Sequence, residues 1–135
     1  MSNRRKSDLE RSRYRLYLRS AEWAARRRLW YADNVKATGL VAECGVCASR
    51  RRLELHHLDY RGVTRAHNRW VAAEAHADLI ALCRFHHEVL HRALDTDPGY
   101  SMTSRKIASL RIVARHRARL IAALLELVSS FPEFA

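Results

Sequence analysis

Cys44-Gly45-Val46-Cys47, Leu53-Glu54-Leu55-His56-His57-Leu58 and Cys83-Arg84-Phe85-His86-His87-Glu88-Val89-Leu90-His91 are the three stretches that decide how this chain reads. All three cysteines and seven of the eight histidines fall between Cys44 and His91. An odd number of cysteines, two of them as Cys-x-x-Cys, reads as metal ligation rather than as a disulfide framework. Cys44 and Cys47 make one half of a tetrahedral structural Zn²⁺ site, and Cys83 with His86, at the same spacing, makes the other. Thiolate and imidazole ligands with no open position suit a structural ion, which a small core needs.

A second site is drawn from His56, His57, His87 and His91. His87 and His91 lie four residues apart on a predicted helix, so both imidazoles face one side and can share an ion. His56 and His57 are adjacent in a segment that alternates as a strand does, so they point to opposite sides. One of them completes a metal site while the other stays off the metal as a base. A catalytic divalent ion (Mg²⁺, Mn²⁺, Zn²⁺ or Ni²⁺) beside an unligated histidine is what phosphodiester hydrolysis requires.

Working outward, the pattern predicts a tight turn at 44–47, a strand at 53–58 and a loop over 62–70. A helix starts at Asp78 or one turn later near Cys83 and runs through His91, and 95–99 is a linker with turn chemistry. A long helix over about 103–128 gathers Ile107, Leu110, Ala114, Ala118, Ile121 and Leu125 on one face, expected to pack on the domain or on a second copy of the chain. Arg111, Arg115 and Arg119 line another. Upstream, Ser20 caps a helix to about Lys36, with Glu22 in its first turn, Trp23 and Trp30 inward and Gly39 beyond its end. The division expected is a basic flexible arm over 1–13, a nuclease domain over 14–95, and a linker with an amphipathic helix over 96–135.

At 135 residues there is room for one domain, and 48% apolar residues with 4 Gly and 2 Pro exclude a collagenous or disordered chain. The longest apolar run is far short of a bilayer span, and the arginine-rich start shows no apolar signal core. A cytoplasmic protein with no membrane partner is expected. The net charge is +11, and 22 of the 25 bases are arginine, the residue suited to holding phosphate bidentately. The bases concentrate at 1–30 and 101–128, around a neutral centre, and DNA is the partner expected.

These residues resemble the HNH, or ββα-metal, endonucleases, and most closely the small HNH proteins of bacteriophage and bacterial genomes. Tyr17-Leu18-Arg19-Ser20 with Glu22-Trp23 is similar to the lead-in helix of that subgroup. Cys44 to Cys47, Leu53 through Asp59-Tyr60, Glu74, and Asp78 through His91 look like its core in the right order. The resemblance implies an α+β fold: a small zinc-stapled ββα-metal (treble-clef-like) finger between an N-terminal helix and a long C-terminal one. It implies His56, His87 and His91 as metal ligands, His57 as general base, and hydrolysis of DNA to 3′-hydroxyl and 5′-phosphate ends. Asp78 stands where the family's middle Asn braces the loop of the base, and Asn68 is a second candidate for that task. His86 replaces a family cysteine, and the stretch from His57 to Glu74 is longer than usual. Arg61, Arg111, Arg115 and Arg119 are expected on phosphates.

Two other readings compete. His87-Glu88-Val89-Leu90-His91 fits the zinc-protease pattern H-E-x-x-H, but that leaves the cysteines and the His56-His57 pair without a purpose. A zinc-stabilised nucleic-acid-binding module that does not cut is the serious alternative. Whether the chain works as monomer or dimer is open at this point.

Overall fold

A computed structural model describes residues 8–131 and Glu133. Among them are four helices and two small sheets, a mixed α+β arrangement. α1 (Asp8–Leu18) leads into α2 (Ala21–Thr38), β1 (Leu53–His57), the hairpin β2 (Val63–Ala66) and β3 (Arg69–Ala72), β4 (Leu79–Cys83), α3 (Arg84–Thr96) and α4 (Arg105–Ser129). No described helix is long and apolar enough to cross a membrane.

The centre is the antiparallel pair β1–β4, with His56 opposite Ile80 and His57 opposite Leu79. Alternate residues of a strand face opposite ways, and here each face has its own core. Leu55, Leu79 and Ala81 pack under Tyr17, Trp23 and Trp30 of the first two helices. Leu82 packs on the other face with Cys44, Val46, Leu90, Leu94, Ala108, Ile112 and Val113.

α2 begins and ends where its sequence signals stand. The Ser20 side chain accepts a hydrogen bond from the Trp23 N–H, and Gly39 closes the helix at φ 71°, a left-handed conformation that glycine adopts without strain. Trp23 and Trp30 are buried with Arg26 between them.

Five expectations change. The arm over 1–13 is in part helix: α1 begins at Asp8, while 1–7 lie outside the described residues. Its apolar period is poor because Tyr14 and Tyr17 alone anchor it, leaving Leu9 and Leu16 exposed. The loop over 62–70 contains a hairpin turned at His67 and Asn68, both at positive φ, a primed turn made here without glycine. Gly62 must lack a side chain, since a Cβ would sit 2.5 Å from the backbone of Ala73 and Glu74. Of the two helix starts expected, the one near Cys83 holds, since Cys83 caps α3, while Asp78 only ends a short 3₁₀ turn (His76–Asp78) and the strand β4 intervenes. A buried strand and a buried helix share an apolar composition, so periodicity could not separate them.

The last two corrections concern α4. It is no appendage beyond residue 95, because Ala108, Ile112 and Val113 complete the core around Cys44 and Leu82. Its buried face is Ala108, Ser109, Ile112 and Val113, whereas Ile107, Leu110, Ile121 and Leu125 are exposed. This narrower stripe packs α4 against α3, with Ser109 reaching His56 of β1, and the larger apolar stripe is turned outward.

Candidate metal centre

Cys44, Cys47, Cys83 and His86 converge, with one ligand atom from each within 4.8 Å of the others. Cys47 Sγ is 3.9 Å from Cys83 Sγ, and His86 Nδ1 is 3.3 Å from Cys83 Sγ and 3.8 Å from Cys44 Sγ. Zn–S bonds of about 2.3 Å place tetrahedral sulfurs about 3.8 Å apart, so the cluster has the dimensions of a structural metal site. The Cys44 turn is held by the Val46 N–H donating to Cys44 Sγ, and by the Gly45 N–H donating to the Ala81 carbonyl on β4. Cys83 ends β4 and caps α3, so Cys83 and His86 bridge the strand end and the first helical turn. Burial raises the Cys44 thiol pKa, but N–H donors of Cys47, Cys83 and Val46 outweigh it and the net shift is downward, toward thiolate.

A second cluster joins β1 to α3. His56, His87 and His91 each offer a nitrogen within 4.8 Å of the others, with His87 Nε2 and His91 Nε2 3.0 Å apart. The far nitrogens of two of these rings are engaged. His56 Nε2 shares a hydrogen bond with Ser109 Oγ at 3.1 Å, and His87 Nδ1 lies 3.6 Å from Glu54 Oε2. His56 Nδ1 is buried with no hydrogen-bond partner among the described residues, so it is the nitrogen left for a ligand. Burial, then Arg105 and His91, hold the His56 pKa well below the usual imidazole range, and burial lowers His87 despite Glu54. Neutral rings are the form that binds metal.

His57 faces the other way. It is 1% exposed, stacked on Tyr60 at 5.0 Å and packed against Trp23 at 4.6 Å between ring centres. Its Nδ1 is 2.9 Å from Tyr14 Oη and its Nε2 is 3.5 Å from Glu74 Oε1. Glu74, also buried, accepts the Tyr17 hydroxyl and lies beside Arg26, whose Nε and Nη2 donate to the Glu74 carbonyl. Arg105 of α4 donates to the His57 carbonyl at 2.8 Å.

Of the two candidates for bracing the His57 segment, Asp78 is the one against it. Its carbonyl accepts the Leu58 N–H at 2.8 Å, and its buried carboxylate takes Lys106 Nζ at 2.8 Å. Asn68 is exposed at the hairpin tip. Glu88, the would-be protease base, is exposed beside Arg84 at 3.6 Å. Arg61 is exposed and folded back on Asp59, donating to Oδ2 through Nε and Nη2. Arg111, Arg115 and Arg119 are exposed on α4, with Arg115 over Tyr100.

Two clefts meet at His87 and His91. One, about 650 Å³, is bordered by Arg52, Glu54, Arg84 and Glu88. The other, about 450 Å³, runs under α2 past Trp23, Arg27, Arg28 and Tyr31. Sequence reading missed these arginines, and it missed Glu54, Ser109, Arg105 and Lys106. None belongs to a spaced motif; each matters through an interaction between distant segments. No family model, no curated protein and no solved structure matches the chain.

Proposed function

We propose that this chain is a metal-dependent DNA endonuclease of the HNH, or ββα-metal, type. In this reading zinc staples Cys44, Cys47, Cys83 and His86, and His56, His87 and His91 hold a second divalent ion. The observation that carries it is the convergence of three imidazoles from β1 and α3 beside clefts bordered by Arg27, Arg28, Arg52 and Arg84. An ion bound there supplies charge stabilisation to the phosphoryl oxygen and the leaving alkoxide. The arginines hold the phosphates on either side of the scissile bond. Ser109 and Glu54 keep His56 and His87 oriented, and Asp78 and Arg105 hold the backbone around His57. His57 accepts the proton of the attacking water, which reaches the ring once Tyr14 of α1 moves aside.

The burial of His57 favours a second reading, a zinc-stabilised nucleic-acid-binding module that does not cut. Incubation of supercoiled plasmid with the protein and Mg²⁺, Mn²⁺, Zn²⁺ or Ni²⁺, with and without chelator, separates the two. The nuclease reading expects metal-dependent nicking that His57→Ala and His91→Ala both abolish, with a loss of at least ~10²-fold. His57→Ala should keep DNA binding and metal content, and His91→Ala should lose metal affinity as well. Binding without cutting in every metal supports the module and overturns the nuclease.

A further inference from the structure

The apolar stripe that α4 turns outward repeats every seven residues. Ile107, Ala114, Ile121 and Val128 occupy one position of the heptad, and Leu110, Arg117 and Leu124 a second, three residues on. That is the a/d pattern of a two-stranded coiled coil. All of these residues are exposed; Ile121 is 46%, Leu124 53% and Val128 47% accessible, with Leu125 at 66% beside them. The single polar member, Arg117, is drawn aside, donating to the Gly45 carbonyl at 3.1 Å. α4 is buried only at Ala108, Ser109, Ile112 and Val113, so its last four turns extend beyond the core they grow from.

We propose that the outer part of this stripe, Arg117, Ile121, Leu124, Leu125 and Val128, is the seam of a homodimer, in which α4 of a second copy of the chain packs antiparallel along it. The seam is self-complementary, as a two-fold interface must be. Two copies would together bury on the order of 1,000 Å² of mostly aliphatic surface, the lower bound for a specific interface. Charge sets the direction. Arg105, Lys106, Arg111, Arg115, Arg117 and Arg119 all lie in the first fifteen of its 25 residues, and the only acid, Glu126, lies in the last ten. A parallel pair brings Lys106 of one copy next to Arg111 of the other. An antiparallel pair centred between Ile121 and Leu124 sets Arg115, Arg117 and Arg119 beside the base-free last turns of the partner, with Arg119 opposite Glu126, at the negative end of its dipole.

The full chain, free of DNA, is tested by sedimentation and light scattering between about 2 and about 200 µM (about a decade either side of a weak dimer's midpoint of about 20 µM). A dimer is expected, and Ile121→Glu with Leu124→Glu should raise its dissociation constant at least ~100-fold. Both positions are exposed, so helix content and melting temperature should hold, which separates a lost interface from a lost fold. Spin labels at position 130 of the two copies should lie more than about 20 Å apart, since antiparallel overlap separates them by about fifteen residues of helix rise. A monomer at about 200 µM, a dimer indifferent to both glutamates, or labels side by side at about 10 Å would overturn the proposal. The outcome does not depend on whether the protein cuts DNA.

Discussion

Ser109 Oγ lies 3.1 Å from His56 Nε2, both residues fully buried, so a hydroxyl on α4 selects which nitrogen of a β1 imidazole faces His87 and His91. Ser109→Ala removes that partner and leaves a buried ring nitrogen unsatisfied. Apparent affinity for a divalent ion is expected to fall ~10–100-fold, the usual scale for removing the hydrogen-bond partner of a metal ligand. Calorimetric titration with Zn²⁺ or Ni²⁺ measures it, and affinity equal to wild type would remove Ser109 from the site.

The Cys₃His cluster sits against the core of α3 and α4, so a zinc ion bound there, as proposed, should support the fold. Cys44→Ser, or chelation of the wild type, should lower the melting temperature sharply and abolish one equivalent of bound zinc. For isolated zinc-finger peptides the metal contributes on the order of 10 kcal/mol, and the apolar core around Leu82 and Ile112 makes the loss smaller here. A variant with unchanged melting and zinc content contradicts the staple.

Arg26 and Glu74 form a buried pair, with side chains 9% and 0% exposed and Nε 3.8 Å from Oε2. Arg26→Ala strands the carboxylate and deprives the Glu74 carbonyl of two donors. The expected loss is about 3–5 kcal/mol, typical of breaking a buried pair by removing one partner. Urea unfolding reads it, and a change below about 1 kcal/mol, within the range of exposed pairs, would mean water reaches Glu74.

Salt dependence separates the arginines that hold phosphate from those that do not. Removing one arginine–phosphate interaction flattens log K against log[salt] by ~0.9 for duplex DNA. Arg27→Ala with Arg28→Ala should reduce the slope by up to about 2 and slow cleavage, because these residues border the histidine cleft. Arg111→Ala, Arg115→Ala and Arg119→Ala together should reduce it by up to about 3 with little change in cutting of bound DNA. A slope indifferent to the triple change makes that row a solvated face.

Spacing along the chain was enough to anticipate that the motif cysteines and histidines gather into two clusters. Cys-x-x-Cys, Cys-x-x-His and His at i and i+4 are local geometries, fixed by one turn of backbone whatever surrounds them, and adjacent strand residues must face opposite ways. Ser20, Trp23 and Gly39 likewise bounded α2 because capping is local chemistry. Tertiary packing alone decided the rest. The helical period correctly grouped Leu110, Ile121 and Leu125 on one face, but periodicity cannot say which of two stripes meets the core; packing against α3 and the core around Leu82 chose Ala108, Ser109, Ile112 and Val113. That choice brought Ser109, Arg105 and Lys106 to His56, His57 and Asp78 across about fifty, forty-eight and twenty-eight residues of chain. Packing of Tyr14, Tyr17 and Trp23 from the first two helices buried His57 on the other face. No pattern in a sequence records such pairings, because their energy exists only when both segments are in place.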